Sequence, residues 1–135
     1  MEITSGWCVL TIIGCPDLNL EEINSKLSIT PTRMMRRGEI NNIVDEPVKK
    51  DIWTYKVKIT EEPNSSLNEL LKILMSKIDF ITEISSFADV YVRCYIQSDL
   101  AQIGFNFSPD TIKMLAKLNI RFEISILSWG KVEME

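Results

Sequence analysis

Two stretches of strict alternation constrain this chain more than anything else in it. Across 51–60, Trp53, Tyr55, Val57 and Ile59 alternate with Thr54, Lys56 and Lys58; across 89–97, Val90, Val92, Cys94 and Ile96 alternate with Tyr91, Arg93, Tyr95 and Gln97. A period of two with one apolar and one wet side marks strands of a sheet that packs on one face. Between them runs a different period. Leu67, Leu70, Leu71, Leu74 and Ile78 recur at i, i+3, i+4, i+7 and i+11, which predicts an amphipathic helix laid on that sheet. A turn at 61–65 precedes it, and Ser66 with Glu69 has the spacing of a capping box.

The remaining elements are read from the same signals. Residues 8–13 (CVLTII), bounded by Gly6 and by Gly14-Cys15-Pro16, read as a short buried strand. Asn19 and Glu22 form a second capping-box spacing ahead of Leu20, Ile23 and Leu27, and Pro31 ends that helix. The stretch 32–50 is polar and irregular, with a weak strand at 39–44 forming a hairpin with the strand at 51–60. Ile103 to Phe107 reads as a short strand leading into Ser108-Pro109-Asp110, an N-cap, a proline at the first helical position and an acid in the first turn. Ile112, Leu115, Ala116 and Leu118 supply the buried face of this third helix, and Asn119 ends it. At 121–127, Phe122, Ile124 and Ile126 alternate with Arg121, Glu123 and Ser125 as a last strand, leaving a loose tail at 130–135.

This order predicts an α+β fold: a mixed, mostly antiparallel sheet with about three helices packed on one face. At 135 residues the expectation is one domain, with a core at about 8–128 and a polar loop at about 32–50. A chain of this length buries roughly 65–70% of the surface its unfolded form exposes, enough for a core without disulfides or metals.

The absence of histidine limits the chemistry. Ser-His-Asp and Cys-His nucleophiles, a histidine general base and His-ligated zinc or iron all require that side chain. Gly14, Gly38 and Gly104 are isolated, so no P-loop or dinucleotide fingerprint is present, and no cofactor is expected. Paired acids, sufficient for glycoside chemistry, occur at Glu21-Glu22 and Glu61-Glu62, where a helix's first turn and a strand end account for them structurally. Cys8, Cys15 and Cys94 are odd in number and lack a Cys-x-x-Cys pair, so reduced thiols are expected, and no metal site. The longest apolar run is far short of a membrane span, and the chain opens without a basic, apolar leader, so a cytoplasmic location is expected.

Several short motifs carry a family resemblance. They are the CVLTI run, Lys26-Leu27-Ser28-Ile29-Thr30-Pro31-Thr32, Gly38-Glu39, the isolated Trp53, and the stretch from Gly104 through Ser108-Pro109-Asp110 to Leu118-Asn119-Ile120 and its terminal strand. Over about residues 8–127 the chain resembles the domain of unknown function 4279 family, an uncharacterised bacterial domain. It departs from that pattern in the polar stretch before Trp53 and in ending on Ser128-Trp129-Gly130. Some members of that family resemble toxin immunity proteins, and the resemblance supplies no catalytic residues.

Charge sharpens two functional expectations. Fifteen Lys and Arg against 19 Asp and Glu give a net charge of −4, which disfavours non-specific attraction to nucleic acid or anionic membrane. The first expectation is a non-enzymatic protein-binding module, most concretely a bacterial immunity protein that neutralises a basic toxin domain. Its candidate contacts are the acids Glu61, Glu62, Asp79, Glu83 and Asp99. The second is an anion- or nucleic-acid-binding module using Arg33, Arg36, Arg37, Lys49 and Lys50, since Arg forks suit phosphate oxygens. Trp7, Trp53 and Trp129 are candidate interface anchors, with Trp53 in phase for the core. Tyr91, Arg93, Tyr95 and Gln97 share a face that suits either helix cover or a partner.

Overall fold

The computed structural model describes residues 5–14, 18–41 and 45–131. The chain runs β1 (Ser5–Gly14), α1 (Leu20–Leu27), β2 (Arg33–Met35), β3 (Ile40–Asn41), β4 (Glu46–Pro47), β5 (Asp51–Lys58), α2 (Pro63–Met75), α3 (Ile78–Ser85), β6 (Asp89–Leu100), α4 (Pro109–Leu118) and β7 (Arg121–Lys131). Five strands form one sheet in the order β2-β5-β1-β6-β7, while β3 and β4 make a separate two-stranded ribbon. The central strand β1 is antiparallel to both β5 and β6, β2 is antiparallel to β5, and β7 is parallel to β6. Cysteine 15 and the end of the expected 39–44 strand lie outside the described residues, as does the tail beyond 131.

One face of this sheet is dry. Cys8, Leu10 and Ile12 of β1, Trp53 of β5, and Val90, Val92, Cys94 and Ile96 of β6 are buried with Leu20, Ile23 and Leu27 of α1 and Leu67, Leu70, Leu71 and Leu74 of α2. The register explains the match, because Leu10 lies opposite both Tyr55 and Val92, and Cys8 opposite both Val57 and Cys94. Side chains of opposed residues point to the same face, so three strands present one continuous apolar surface. Trp53 is fully buried, and its indole Nε1 donates to Asn24 Oδ1 of α1 at 2.7 Å. That bond satisfies the one polar atom of the largest core side chain.

The helix ends follow local chemistry. Asn19 accepts from the Glu22 N–H, and Ser28 closes α1 in the left-handed conformation three residues before Pro31. Ser108 accepts from the Thr111 N–H, Pro109 opens α4, and Asn119 closes it in the left-handed conformation.

Several expectations are corrected. Among the described residues there are four helices where about three were expected. The leucine stripe stops at Met75, and Ile78 begins α3. There the Ser76 hydroxyl donates to the Ile73 carbonyl at 2.6 Å, and the chain turns so that Ile81 and Ile84 are buried. Ser66 does not cap α2. The helix starts earlier, with Glu62 in the cap position and Pro63 at its first turn, and the buried Ser66 hydroxyl instead bonds the Lys58 carbonyl of β5.

Ile103 to Phe107 forms no strand. Its alternation reports an extended segment with one side packed, as Phe107 meets Phe105 and Phe122 edge-on at 5.7 and 5.6 Å. The buried face of α4 is also rotated by one position. Thr111 is buried where Ile112 and Ala116 were expected, because its hydroxyl accepts from Asn68 of α2 at 3.0 Å, leaving Ile112 and Ala116 exposed. The irregular 32–50 stretch contains β2, β3 and β4, and the last strand runs past 127 to Lys131.

Cys8 and Cys94 face each other across β1 and β6 with sulfurs 3.2 Å apart, both fully buried. The hydrogen bond between them, reinforced by burial, pushes the Cys8 thiol far above its ordinary value. Iodoacetamide should therefore leave both unmodified in the native protein and label both after denaturation, as read by peptide mass mapping. Trp53→Ala should cost about 3–5 kcal/mol of stability in urea unfolding, the range for emptying a buried aromatic site.

Candidate functional site: the open face of the sheet

No described helix covers the other face of the sheet. Odd-numbered residues of β1 and β6 point there, and register places Trp7 beside Tyr95 and Lys58, Val9 between Arg93 and Lys56, and Thr11 between Tyr91 and Thr54. Across the parallel pair, Tyr91 lies beside Arg121 and Arg93 beside Glu123. Trp7 is 40% exposed and Tyr95 39%, both large for ordered strand residues.

A layer of cations and rings organises this face. Arg121 sits over the Tyr91 ring at 4.4 Å and Arg93 over the same ring at 5.5 Å, while Arg93 also reaches Tyr95 at 5.3 Å and Lys56 reaches Trp7 at 5.7 Å. Carboxylates tie the guanidiniums down. Arg93 Nε donates to Glu123 at 2.6 Å and its Nη1 to the Tyr95 hydroxyl at 2.8 Å. Arg121 donates to both Asp89 oxygens at 3.1 Å and to Glu123 at 2.9 Å. The Glu123 hydrogen bond chiefly raises Arg93 above its ordinary value, and Asp89 does the same for Arg121. Glu123 is held below the usual carboxylate range, chiefly by Arg93. Each of these three groups thus has its charged form favoured by its partner.

A family model of a domain of unknown function, DUF4279, matches residues 2–129. The chain belongs to this family. No curated protein and no solved structure matches it.

In this DUF4279 chain the residues singled out from sequence fall into separate places. Glu61 and Glu62 lie in the turn after β5, and Asp99 lies near the end of β6, flanking the Ser5 end of β1. Asp79 and Glu83 lie on α3. Glu83 shares a groove of about 230 Å³ with Glu22 of α1, lined by Leu18, Ile23, Phe80 and the exposed Phe87. Asp79 lines a neighbouring groove with Lys26 and Lys77. The five acids thus form two groups at different places.

The basic residues are also divided. Arg33 lies on β2 opposite Thr54, on the open face. Arg36 pairs with Glu21 of α1. Lys49 and Lys50 line a groove with Ile13, Met35, Pro47 and Ile52. The Arg37 backbone N–H is held by Asp51 at 2.7 Å. Of the tryptophans, Trp7 and Trp129 are exposed and Trp53 is core.

Two functional features have no local mark in the sequence. Glu123 and Asp89, which order the arginines, are brought beside them by strand pairing alone. The second is Asp51, which is 4% exposed and accepts from the Leu18 N–H at 2.8 Å as well as from Arg37. One carboxylate so fastens the β1–α1 connection and the turn after β2 to the start of β5. Alternation across 51–60 placed Asp51 at a strand end, but nothing local marks the two distant N–H groups.

The Arg37 N–H first, then the Leu18 N–H, hold the Asp51 carboxyl below its usual value against the opposing effect of burial. A lowered folded pKa contributes stability that is present above the unfolded value of about 3.9 and is lost as pH falls through the folded value. Asp51→Asn places an amide where two donors need acceptors. Its one oxygen can accept from only one of them, so the variant should lose roughly 1–3 kcal/mol at neutral pH, the cost of leaving one buried N–H without an acceptor. In urea titrations the gap between wild type and variant should narrow below about pH 4, as the wild-type carboxyl takes up its proton.

Proposed function

We propose that this protein is a non-enzymatic protein-binding module whose docking surface is the open face of the sheet. The observation that carries this reading is a solvent-facing layer of Trp7, Tyr91, Arg93, Tyr95 and Arg121 on three adjacent strands, in a fold whose helices cover only the opposite face. Trp, Tyr and Arg are the residues enriched at binding hot spots. The layer is preorganised by its ion pairs, which lowers the ordering cost on association.

Two details favour a protein partner over single-stranded nucleic acid. Tyr91 already carries Arg93 and Arg121 over its ring, which leaves its face unavailable for base stacking. The donors of both guanidiniums are engaged by Asp89 and Glu123 where a phosphate would need them. The face is still cationic, with Arg33, Lys56, Lys58, Arg93 and Arg121 against Asp89 and Glu123, and suits a partner patch carrying acids and apolar side chains.

The immunity reading, in which the protein blocks a basic toxin domain, points to a different surface. It is favoured by the groove between α1 and α3, where Glu22 and Glu83 rim an apolar floor that includes Ile23 and Phe80, with Phe87 62% exposed. A basic partner would meet that side.

One experiment tests both readings. The tagged protein is used to capture a partner from its native cell, the partner is identified and purified, and its affinity is measured for two double variants. Trp7→Ala/Tyr95→Ala should weaken binding by at least a hundredfold, roughly the loss of two hot-spot side chains, while Glu83→Lys/Phe87→Ala leaves it unchanged. The reverse pattern would move the site to the helical groove. Recovery of nucleic acid alone would overturn the protein-binding reading.

A further inference from the structure

We infer that β7 is a self-association edge: two copies of this chain pair their β7 strands antiparallel about a two-fold axis at Ser125, joining two five-stranded sheets into one of ten strands.

The two edges of the sheet differ in how they are protected. At one edge β2 is only three residues long, follows Pro31 and starts with Arg33, features that blunt strand addition. At the other edge β7 spans eleven residues with no proline, and no charge between Glu123 and Lys131. Among the described residues no strand lies beside its outer backbone groups. On this strand Ile124 is 44% exposed, Ile126 50%, Leu127 54% and Trp129 54%. Apolar side chains therefore crowd both faces of one open edge.

The sequence of β7 selects a second copy as the occupant. A two-fold axis perpendicular to the sheet brings a residue opposite its own copy, and opposed residues then share a face. With Ser125 on the axis, Ile124 of each copy faces Ile126 of the other on the helix side. Leu127 faces Glu123, and Trp129 faces Arg121. All four exposed apolar residues acquire a cross-strand neighbour, and no like charges meet. Glu123 keeps its ion pairs to Arg93 and Arg121 within its own protomer, so the apposed Leu127 leaves no charge without a partner.

Neighbouring registers fail on one count each. An axis at Ile126 sets the irregular 129–130 step of β7 against residues 122–123 of its copy, one at Glu123 sets Glu123 against itself, and one at Ile124 leaves Trp129 beyond the end of the strand. In the chosen register the two open faces lie on the same side of the joined sheet. The inference stands on the edge alone and holds whether or not the open face binds a partner.

The test uses the purified full chain. Light scattering across a dilution series should show a dimer, at twice the 15.5 kDa chain mass, that dissociates on dilution. Ile126→Lys should be monomeric with unchanged circular dichroism, since the side chain is half exposed in the single chain. The register is tested separately by cross-linking in a Cys15→Ser background. Ser125→Cys should form an interchain disulfide, because axis-related Cα atoms of opposed residues lie about 4.5–5.5 Å apart. Leu127→Cys should not, because its copy is displaced by four residues, about 13 Å along the strand.

A monomer at every concentration, or a dimer unaffected by Ile126→Lys, would overturn the self-association edge. A dimer in which Leu127→Cys cross-links and Ser125→Cys does not would overturn the two-fold register.

Discussion

The handedness of the connections, combined with the antiparallel setting of β1, decides the architecture of this protein. Three segments carry the chain between strands of like direction: α1 from β1 to β2, α2 and α3 from β5 to β6, and α4 from β6 to β7. Parallel crossovers are right-handed almost without exception. The first moves outward from β1 past β5. The second steps back across β1 on strands of opposite direction, and the third moves outward past β6, also on strands opposite to β1. Reversing both the strand direction and the direction of travel preserves the side on which a right-handed crossover lies. All three therefore deposit their helices on the same face, which is where Leu20, Leu70 and Ile84 are buried. The bare face is a topological consequence, and the antiparallel pairs of β1 with β5 and β6 arise by interleaving crossovers, while β2 and β5 pair directly across the connection that carries the β3–β4 ribbon.

The same logic separates what the sequence reveals from what it hides. Covered and bare faces write themselves as alternation, so the axes of β5 and β6 and the membership of Trp53, Val92 and Cys94 in the core are legible residue by residue. Caps are legible where the capping side chain acts within three or four residues, as at Asn19, Ser108 and Asn119. Ser66 shows the limit of that signal. Its spacing to Glu69 suits a cap, but a carbonyl of the preceding strand takes its hydroxyl, and Pro63 starts the helix earlier. The turn between α2 and α3 has neither glycine nor proline, and Ile78 continues the leucine spacing across it, so the break leaves no local trace.

Functional organisation is less legible because strand pairing builds it. Arg93 is visible as a wet strand residue, but its partner Glu123 lies thirty positions later and meets it only through the parallel β6–β7 register. Asp51 is more hidden still. Its two donors are backbone N–H groups of Leu18 and Arg37, and a backbone donor carries no residue identity for a sequence to display. The basic residues 33–50, contiguous in the chain, separate for a related reason. β2 joins the sheet, Glu21 of α1 pairs with Arg36, and after the β3–β4 ribbon Lys49 and Lys50 line a groove with Ile13 and Ile52 of the sheet.

The cations of the open face do more than supply charge. Val9 and Thr11 point to that face, yet they are 5% and 7% exposed without any described helix above them. Their immediate cross-strand neighbours are Lys56 and Arg93 for Val9, and Thr54 and Tyr91 for Thr11. Long side chains lay their aliphatic stems along apolar surface while the charged heads stay in water, so Lys56 and Arg93 flank Val9 as a lid, and the Tyr91 ring stands beside Thr11. Arg93, the cross-strand neighbour of Val9, is committed over Tyr91 and Tyr95 by its guanidinium plane and to Glu123 through its donors. A partner that pulled Arg93 away would expose Val9 and leave Glu123 with fewer donors. In the proposed mode a partner on this face would therefore contact groups that can be covered without breaking the lid, chiefly the half-exposed rings of Trp7 and Tyr95. Lys56 over Trp7 and Arg93 over Tyr95 hold those rings in one arrangement before any partner arrives.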